Sequence, residues 1–257
     1  MKKEPRITTA SGRYFLTDRI RDEVDFQSTP QSQGVPRRPV QKPLPAGSRL
    51  IPLPGRDSWS IPFCNLEDAM AERQSHRHFT DEPLTLAELA FLLWATQGVR
   101  ETLHPAAVLR TVPSAGCRHP FETYLAVLNV EGLDSGLYRY LPLEHALVRL
   151  REVDNLPAHL VDACRGQKFS GAAAVTFFWT VIPLRTEWRY GEASYKVIAL
   201  DAGHLCQNLY LACAAIKAGT CAIAAYNQTL ADELLGVDGE EEFTIYIAPV
   251  GKTPAPQ

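Results

Sequence analysis

In Arg73-Gln74-Ser75-His76-Arg77-His78-Phe79 two guanidiniums flank a serine hydroxyl, just where a helix-like segment, Leu66 to Glu72, runs out. Arginine stays cationic and presents a planar fork of donors, so two of them around a hydroxyl can clamp a dianionic phosphate. A solvated basic loop is the plain alternative, because short basic runs are common on surfaces. His76 and His78 alternate with Arg77 and have no third ligand candidate at useful spacing, so no metal is expected there.

Three further stretches can bring backbone close to a ligand. Pro113-Ser114-Ala115-Gly116 is a turn of small residues just before a strand. Gly219-Thr220-Cys221-Ala222 emerges from a long helical segment, and Val250-Gly251-Lys252 sets a cation at the end of the last strand. Each of them alone also reads as a simple turn. His204 is a hydrogen-bonded structural histidine on a buried helix or an acid-base group, and Cys221 a small buried residue or a reactive thiol. Trp188 and Tyr190 precede Gly191 in a loop that either caps a ligand or packs as an aromatic pair.

Several familiar sites are excluded. There is no Gly-x-Gly-x-x-Gly for a dinucleotide fold, no Gly-x-Ser-x-Gly and no His-Glu-x-x-His. Gly251-Lys252-Thr253 resembles the end of a P-loop, but position 246 is Tyr246 and too little chain follows for a helix.

The elements that must position these residues begin at Asn65. Asn65 can cap a helix with Glu67 and Asp68 in its first turn, and Thr85 with Glu88 forms a capping box for a helix from Leu86 to Gln97, stopped by Gly98. Strands are expected at Phe121–Val130, Gly136–Tyr140, Ala146–Val153, Ala172–Ile182, Thr220–Ala224 and Phe243–Val250. Helices are expected at Leu156–Arg165, Leu230–Leu235 and, longest and apolar on most faces, Val197–Ala218 with Gly219 as its stop. This mixture without internal repeat reads as an α+β domain over residues 65–257 with a mainly antiparallel sheet. Residues 1–64, with Pro36, Pro39, Pro43, Pro45, Pro52 and Pro54 crowded together, read as an extended arm. Leu50-Ile51-Pro52-Leu53 can dock that arm onto the body.

A formal net charge of -3 argues against general nucleic-acid binding. No apolar run reaches the roughly 18 residues of a membrane span, and Met1-Lys2-Lys3-Glu4-Pro5 has no apolar run behind it, so no secretory signal is visible. Six cysteines without a Cys-x-x-Cys pair fit free thiols and a cytoplasmic location.

Taken together the motifs resemble the nitroreductase superfamily, and within it the SagB-type dehydrogenases. The likeness runs from Asn65 to Lys252. It is carried by the Arg73–Phe79 stretch, Leu93-Trp94-Ala95-Thr96-Gln97-Gly98, Pro113-Ser114-Ala115-Gly116, Gly136-Leu137-Tyr138-Arg139-Tyr140, Leu200 to Leu209 and Pro249-Val250-Gly251-Lys252. The resemblance implies a nitroreductase-like fold, an α+β sheet flanked by helices, and an intertwined homodimer with FMN at the interface. It implies that Arg73, Gln74, Ser75 and Arg77 hold the phosphate and the ribityl or pyrimidine edge, with Lys252 adding charge. Pro113, Ser114, Ala115 and Gly116 would come from the partner subunit, and the Thr220-Cys221-Ala222 backbone would approach flavin N5.

The expected activity is FMN-dependent transfer of hydride or electron pairs to or from a small organic substrate, with NAD(P)H as reductant. SagB-type enzymes of peptide pathways oxidise azolines and carry a Lys-Tyr pair before a glycine, where this chain has Arg189-Tyr190-Gly191. Arginine is a poor general base, which leaves Tyr190 as the catalytic candidate and puts azoline oxidation in doubt. A flavin-binding regulatory or scaffold subunit is the reading from outside enzymology.

Overall fold

The computed structural model describes residues 7–62, 64–104 and 106–254, and the Met1–Pro5 stretch lies outside them. The strands are β1 (Leu50–Pro52), β2 (Val99–His104), β3 (Ala107–Arg110), β4 (Phe121–Val127), β5 (Gly136–Leu141), β6 (Ala146–Arg151), β7 (Val175–Val181), β8 (Ala218–Thr220) and β9 (Phe243–Lys252). The helices are α1 (Thr9–Leu16), α2 (Ile20–Glu23), α3 (Leu66–Glu72), α4 (Leu86–Gln97), α5 (Leu156–Ala163), α6 (Leu184–Tyr190), α7 (Ser194–Ala215) and α8 (Gln228–Leu235). Seven strands form one sheet in the order β1-β6-β5-β4-β7-β9-β8, every neighbouring pair antiparallel, and β2 and β3 make a separate hairpin.

Side-chain alternation along the central strands sorts the core into two layers. Leu125 and Val127 of β4 and Phe177 and Trp179 of β7 face a large cluster with Leu89 and Leu93 of α4 and Leu205 and Leu209 of α7. Tyr124, Ala126 and Phe178 point the other way, onto Leu160 of α5 and Ala231 and Leu234 of α8. β7 lies between β4 and β9 and is buried along its whole length, which explains its nearly continuous apolar sequence.

Both sequence-read caps form. Asp68 N donates to Asn65 Oδ1 at 2.8 Å, and Thr85 and Glu88 exchange backbone-to-side-chain bonds of 3.0 and 3.1 Å. The long helix stops earlier than expected. It ends at Ala215, the chain turns through Lys217 at φ 54, and Gly219 falls inside β8.

The proline-rich segment is more structured than an extended arm. Thr8 and Ser11 form a capping box that starts α1, and β1 pairs with β6 as a three-residue edge strand whose Pro52 suits an edge position. Between them the chain is irregular but tied down. Its carbonyls at Val35, Val40 and Pro43 accept from Trp188 Nε1 (2.7 Å), Arg110 Nη2 (2.8 Å) and Arg139 Nη2 (2.6 Å). Lys42 N donates to Glu122, and its ammonium pairs with Glu242. Prolines remove donors but leave carbonyls free, so buried arginines can hold such a segment without sheet pairing. Among the described residues no helix is long and apolar enough to cross a membrane.

Candidate active site

After α3 the chain forms a strap from Arg73 to Thr80 that lies along β8 and β9. Ser75 bridges Thr220 in parallel, His76 N donates to Thr220 O at 2.9 Å, and Thr80 N donates to Lys252 O at 2.9 Å. Two glycines make the close approach possible. A Cβ on Gly219 would stand 2.6 Å from His76 Cβ, and one on Gly251 would stand 3.0 Å from Phe79 Cβ. Burial on this contact holds the His76 imidazole below its ordinary pKa.

Tyr210 of α7 draws this region together. Its hydroxyl accepts from Ala222 N (2.9 Å) and shares a hydrogen bond with Ser75 Oγ (3.0 Å), and the Arg73 guanidinium lies 5.5 Å from its ring centroid. Arg73, Ser75, Thr220 and Ala222 thus converge. Cys221 between them is buried, while Gln74 and Arg77 are exposed on the strap. Neither Arg73 nor Arg77 has an ion-pair or hydrogen-bond partner for its guanidinium among the described residues. Two uncommitted guanidiniums flanking a hydroxyl fit a phosphate.

Lys252 does not fit that role as the sequence suggests. Its ammonium binds Glu88 Oε1 at 2.5 Å and the Ile216 carbonyl at 3.2 Å, so its charge is already neutralised by the residue that caps α4.

Pro113-Ser114-Ala115-Gly116 belongs to a second patch. Ser114 Oγ donates to Asp201 Oδ2 (2.6 Å), Ala115 N donates to the same oxygen (3.1 Å), and His119 N donates to Ser114 Oγ (2.9 Å). Burial raises the pKa of Asp201, and the bonds from Ser114 and Ala115 oppose that shift. Gly116, at φ 59, is covered by the last residues of α6. A Cβ there would meet Tyr190 Oη at 2.8 Å and Arg189 Cδ at 2.9 Å. Trp188 and Tyr190 lie on this helix rather than in a loop, and they do not pack as a pair. The Arg118 guanidinium lies over Trp188, and Tyr190 is flanked by Arg21 and Arg189. His204 is not a buried structural histidine, since its side chain is half exposed and lies 3.9 Å from Asp201.

The two patches are anchored to α7 at Asp201 and Tyr210. Nine residues of α-helix are two and a half turns, so these side chains leave opposite sides of the helix about 14 Å apart along its axis. Asp201 lies within the Leu200–Leu209 motif without a role read from it, and Tyr210 lies one residue beyond that motif. Residue type alone does not separate them from Lys196, His204, Gln207 and Asn208 in the same helix.

The nitroreductase family model matches residues 70–252, which include the strap and both patches. The chain belongs to the nitroreductase family. Membership makes it an oxidoreductase in class. A nitroreductase-family protein of Methanocaldococcus jannaschii is 32% identical over 187 residues, covering 73% of this chain and 90% of its own. The trifolitoxin-processing protein TfxB of Rhizobium leguminosarum is 28% identical over 144 residues, 53% of this chain but only 32% of that protein. Among solved structures, a nitroreductase from Ralstonia eutropha superposes with a TM-score of 0.67 at 28% identity, covering 86% of this chain and all of the other. A nitroreductase from Anabaena variabilis gives 0.63 at 32% identity over 74% of this chain, which spans 38% of that longer one.

Proposed function

We propose that the protein is an FMN-dependent oxidoreductase whose flavin sits between two copies of the chain, with NAD(P)H as reductant and a small organic substrate as the other partner. The observation that carries this reading is the split of the site across α7. The phosphate-fitting strap and the Pro113–Gly116 turn leave opposite sides of one helix, so each lacks the other within one chain. A second copy would bring the turn of one chain to the strap of the other, giving an intertwined homodimer. Tyr195 and Leu200, 48% and 55% exposed on α7, and Leu66 and Met70, 63% and 57% exposed on α3, supply apolar surface for it to cover.

When bound, the flavin supplies reversible two-electron chemistry that no side chain here provides. The protein's part is to hold and orient. Arg73, Arg77 and Ser75 bind the phosphate, with Tyr210 fixing the Ser75 hydroxyl and the Ala222 amide. Gly116 keeps the facing turn free of a side chain where Tyr190 Oη approaches. That phenol is placed to hold or pass a proton, a role for which a guanidinium is a poor base.

The likeness to TfxB favours a second reading, azoline oxidation in peptide tailoring, with Tyr190 in place of a lysine-tyrosine pair. Incubating a thiazoline peptide with the flavin-loaded protein tests it, and an unchanged peptide mass argues against it.

Hybrid dimers test the main reading. Chains carrying Arg73→Ala with Arg77→Ala should lose flavin, and chains carrying Gly116→Val should keep it but turn over poorly. Co-assembled, each hybrid has one site built from two intact halves, so activity should reappear. No recovery in hybrids that are demonstrably mixed and folded would refute the shared site.

A further inference from the structure

We infer that Arg118, with Arg37 and Arg189, forms an oxyanion subsite beside Tyr190, so that the substrate carries a carboxylate or phosphate group. The substrate half of this statement rests on the oxidoreductase reading above, whereas the anion subsite does not.

Arg118 is 1% exposed, and only Nε has a partner, the Arg185 carbonyl at 2.9 Å. Nη1 and Nη2 are buried without an acceptor among the described residues. Idle donors on a buried cation are costly, and in a folded protein they call for a missing partner. Among the described residues, Arg185, Arg110 and Arg139 each leave one buried nitrogen without a partner (Nη1, Nε and Nε), where Arg118 leaves both Nη groups. Arg185 is paired with Glu122 at 2.5 Å, Arg110 reaches Gln97 and the Val40 carbonyl, and Arg139 reaches Pro43.

The surroundings of Arg118 make an anion the fitting partner. Its guanidinium carbon lies over the Trp188 ring, 4.6 Å from the centroid, and that of Arg37 lies 5.3 Å from the same centroid. Arg189 packs against Gly116, two residues before Arg118 in the chain. None of the three is ion-paired among the described residues. A cation over an aromatic ring is attracted by the ring's quadrupole and gains no oxygen acceptor, so the Trp188 contacts do not supply the missing hydrogen-bond partners. Burial and the like charges of Arg37 and Arg189 push Arg118 down to about 10, as expected where positive charges gather without a counterion.

Three positive forks from separate segments suit a planar or tetrahedral oxyanion. Arg37 and Arg189 are exposed and Arg118 is buried, so the first two are the solvent-facing members of the group and the third the inner one. The subsite adjoins Gly116 and Tyr190, the turn and the proton-handling phenol of the proposed site. Arg37 also makes the N-terminal segment part of the site.

Two measurements test the inference. The first uses flavin-loaded protein reduced with dithionite and mixed anaerobically with 4-nitrobenzoate or 4-nitrobenzamide, following the return of oxidised-flavin absorbance. The benzoate should bind about 10-fold tighter, as for a charge-assisted pair, and Arg118→Gln should bring the ratio close to one. Arg37→Gln and Arg189→Gln, at exposed positions that do not risk the fold, should each reduce it severalfold. Equal handling of the two compounds by the unaltered protein overturns the substrate assignment while leaving the oxidoreductase reading intact. If Arg118→Gln instead erases a preference for NADPH over NADH, the anion belongs to the reductant and the assignment is likewise overturned.

The second needs no turnover. Inorganic phosphate titrated against chloride at matched ionic strength should change tryptophan fluorescence saturably, and the change should vanish in Trp188→Phe and in Arg118→Gln. A flat titration overturns the anion subsite even if the protein proves to be an active oxidoreductase.

Discussion

Gly219→Ala should peel the strap from β8. The added methyl would stand 2.5 Å from Thr253 Cγ2, 2.6 Å from His76 Cβ and 2.6 Å from His76 Cγ. Thr253 Cγ2 is a side-chain methyl that can turn aside by rotation, but His76 Cβ is fixed to strap backbone held by the bond from His76 N to Thr220 O. The strap must therefore move by most of an ångström. Overpacking of this kind costs roughly 1–3 kcal/mol, and the stretched His76–Thr220 bond adds about 1 kcal/mol. Ser75 and Arg73, the phosphate-fitting groups, move with it. If the strap has to be pressed back for phosphate to bind, flavin affinity falls by the same free energy, about 30-fold at 2 kcal/mol.

The assay is FMN titration of apoprotein, paired with urea unfolding. Gly12→Ala is the matched control. It lies within α1 with no atom within 4 Å of the added carbon, so it should stabilise the helix by up to about 1 kcal/mol and leave FMN affinity alone. His76→Gly in the Gly219→Ala background removes the clashing carbon and should recover part of the affinity. Wild-type affinity and stability in Gly219→Ala would show that the strap is not pinned by this contact.

Two further outcomes follow from buried charge. His119 is 3% exposed, and burial, helped by the Arg110 charge, holds its pKa at about 3 against an ordinary 6.5. A depressed value means that the unfolded chain takes up the proton first as pH falls. Stability is then lost from about pH 6.5 downward, about 2 kcal/mol of it by pH 5. His119→Asn, which tolerates the φ of 45 at this position, should flatten that part of the urea-midpoint profile, whereas a parallel decline in both proteins would refute the assignment. Lys252→Met leaves Glu88 largely buried without its cation and should cost roughly 3 kcal/mol of stability, with part restored by adding Glu88→Gln. FMN affinity measured well below the melting temperature should change little, and a large loss of affinity with stability intact would return Lys252 to the phosphate.

What could be read from the sequence was what short-range chemistry encodes. Asn65 and Thr85 start α3 and α4 through side-chain bonds to residues three positions on, so their signals are local. The alternating apolar residues of β4 and β7 reveal strands because the two faces pack against different helices. The hairpin of β2 and β3 was missed because Val99 to His104 is almost wholly exposed and carries no apolar alternation. The helix α6 was missed because Pro183 and Gly191 bracket it like a loop, although proline suits the start of a helix. The arm shows the same limit. Its Val35, Val40 and Pro43 carbonyls are generic, and what holds them is a set of arginines and a tryptophan some 70 to 153 positions away.

The same reasoning separates the legible half of the site from the illegible half. Arg73, Ser75 and Arg77 stand out because their residue types alone suggest an anion, whatever surrounds them. Lys252 looked equivalent by type, yet Glu88, 164 positions away, accepts from it first. Residue type sets what a side chain is able to bind, but the fold decides whether it is already bound. Arg118 is the reverse case. It stands two residues past the Pro113–Gly116 turn, yet only the structure leaves both of its Nη groups buried and unmatched, among the described residues, beside two arginines without ion pairs. A cation committed to a carboxylate is removed from the list of ligand-binding groups, and a buried one with no acceptor is added to it. On that criterion Lys252 leaves the site and Arg118 enters it.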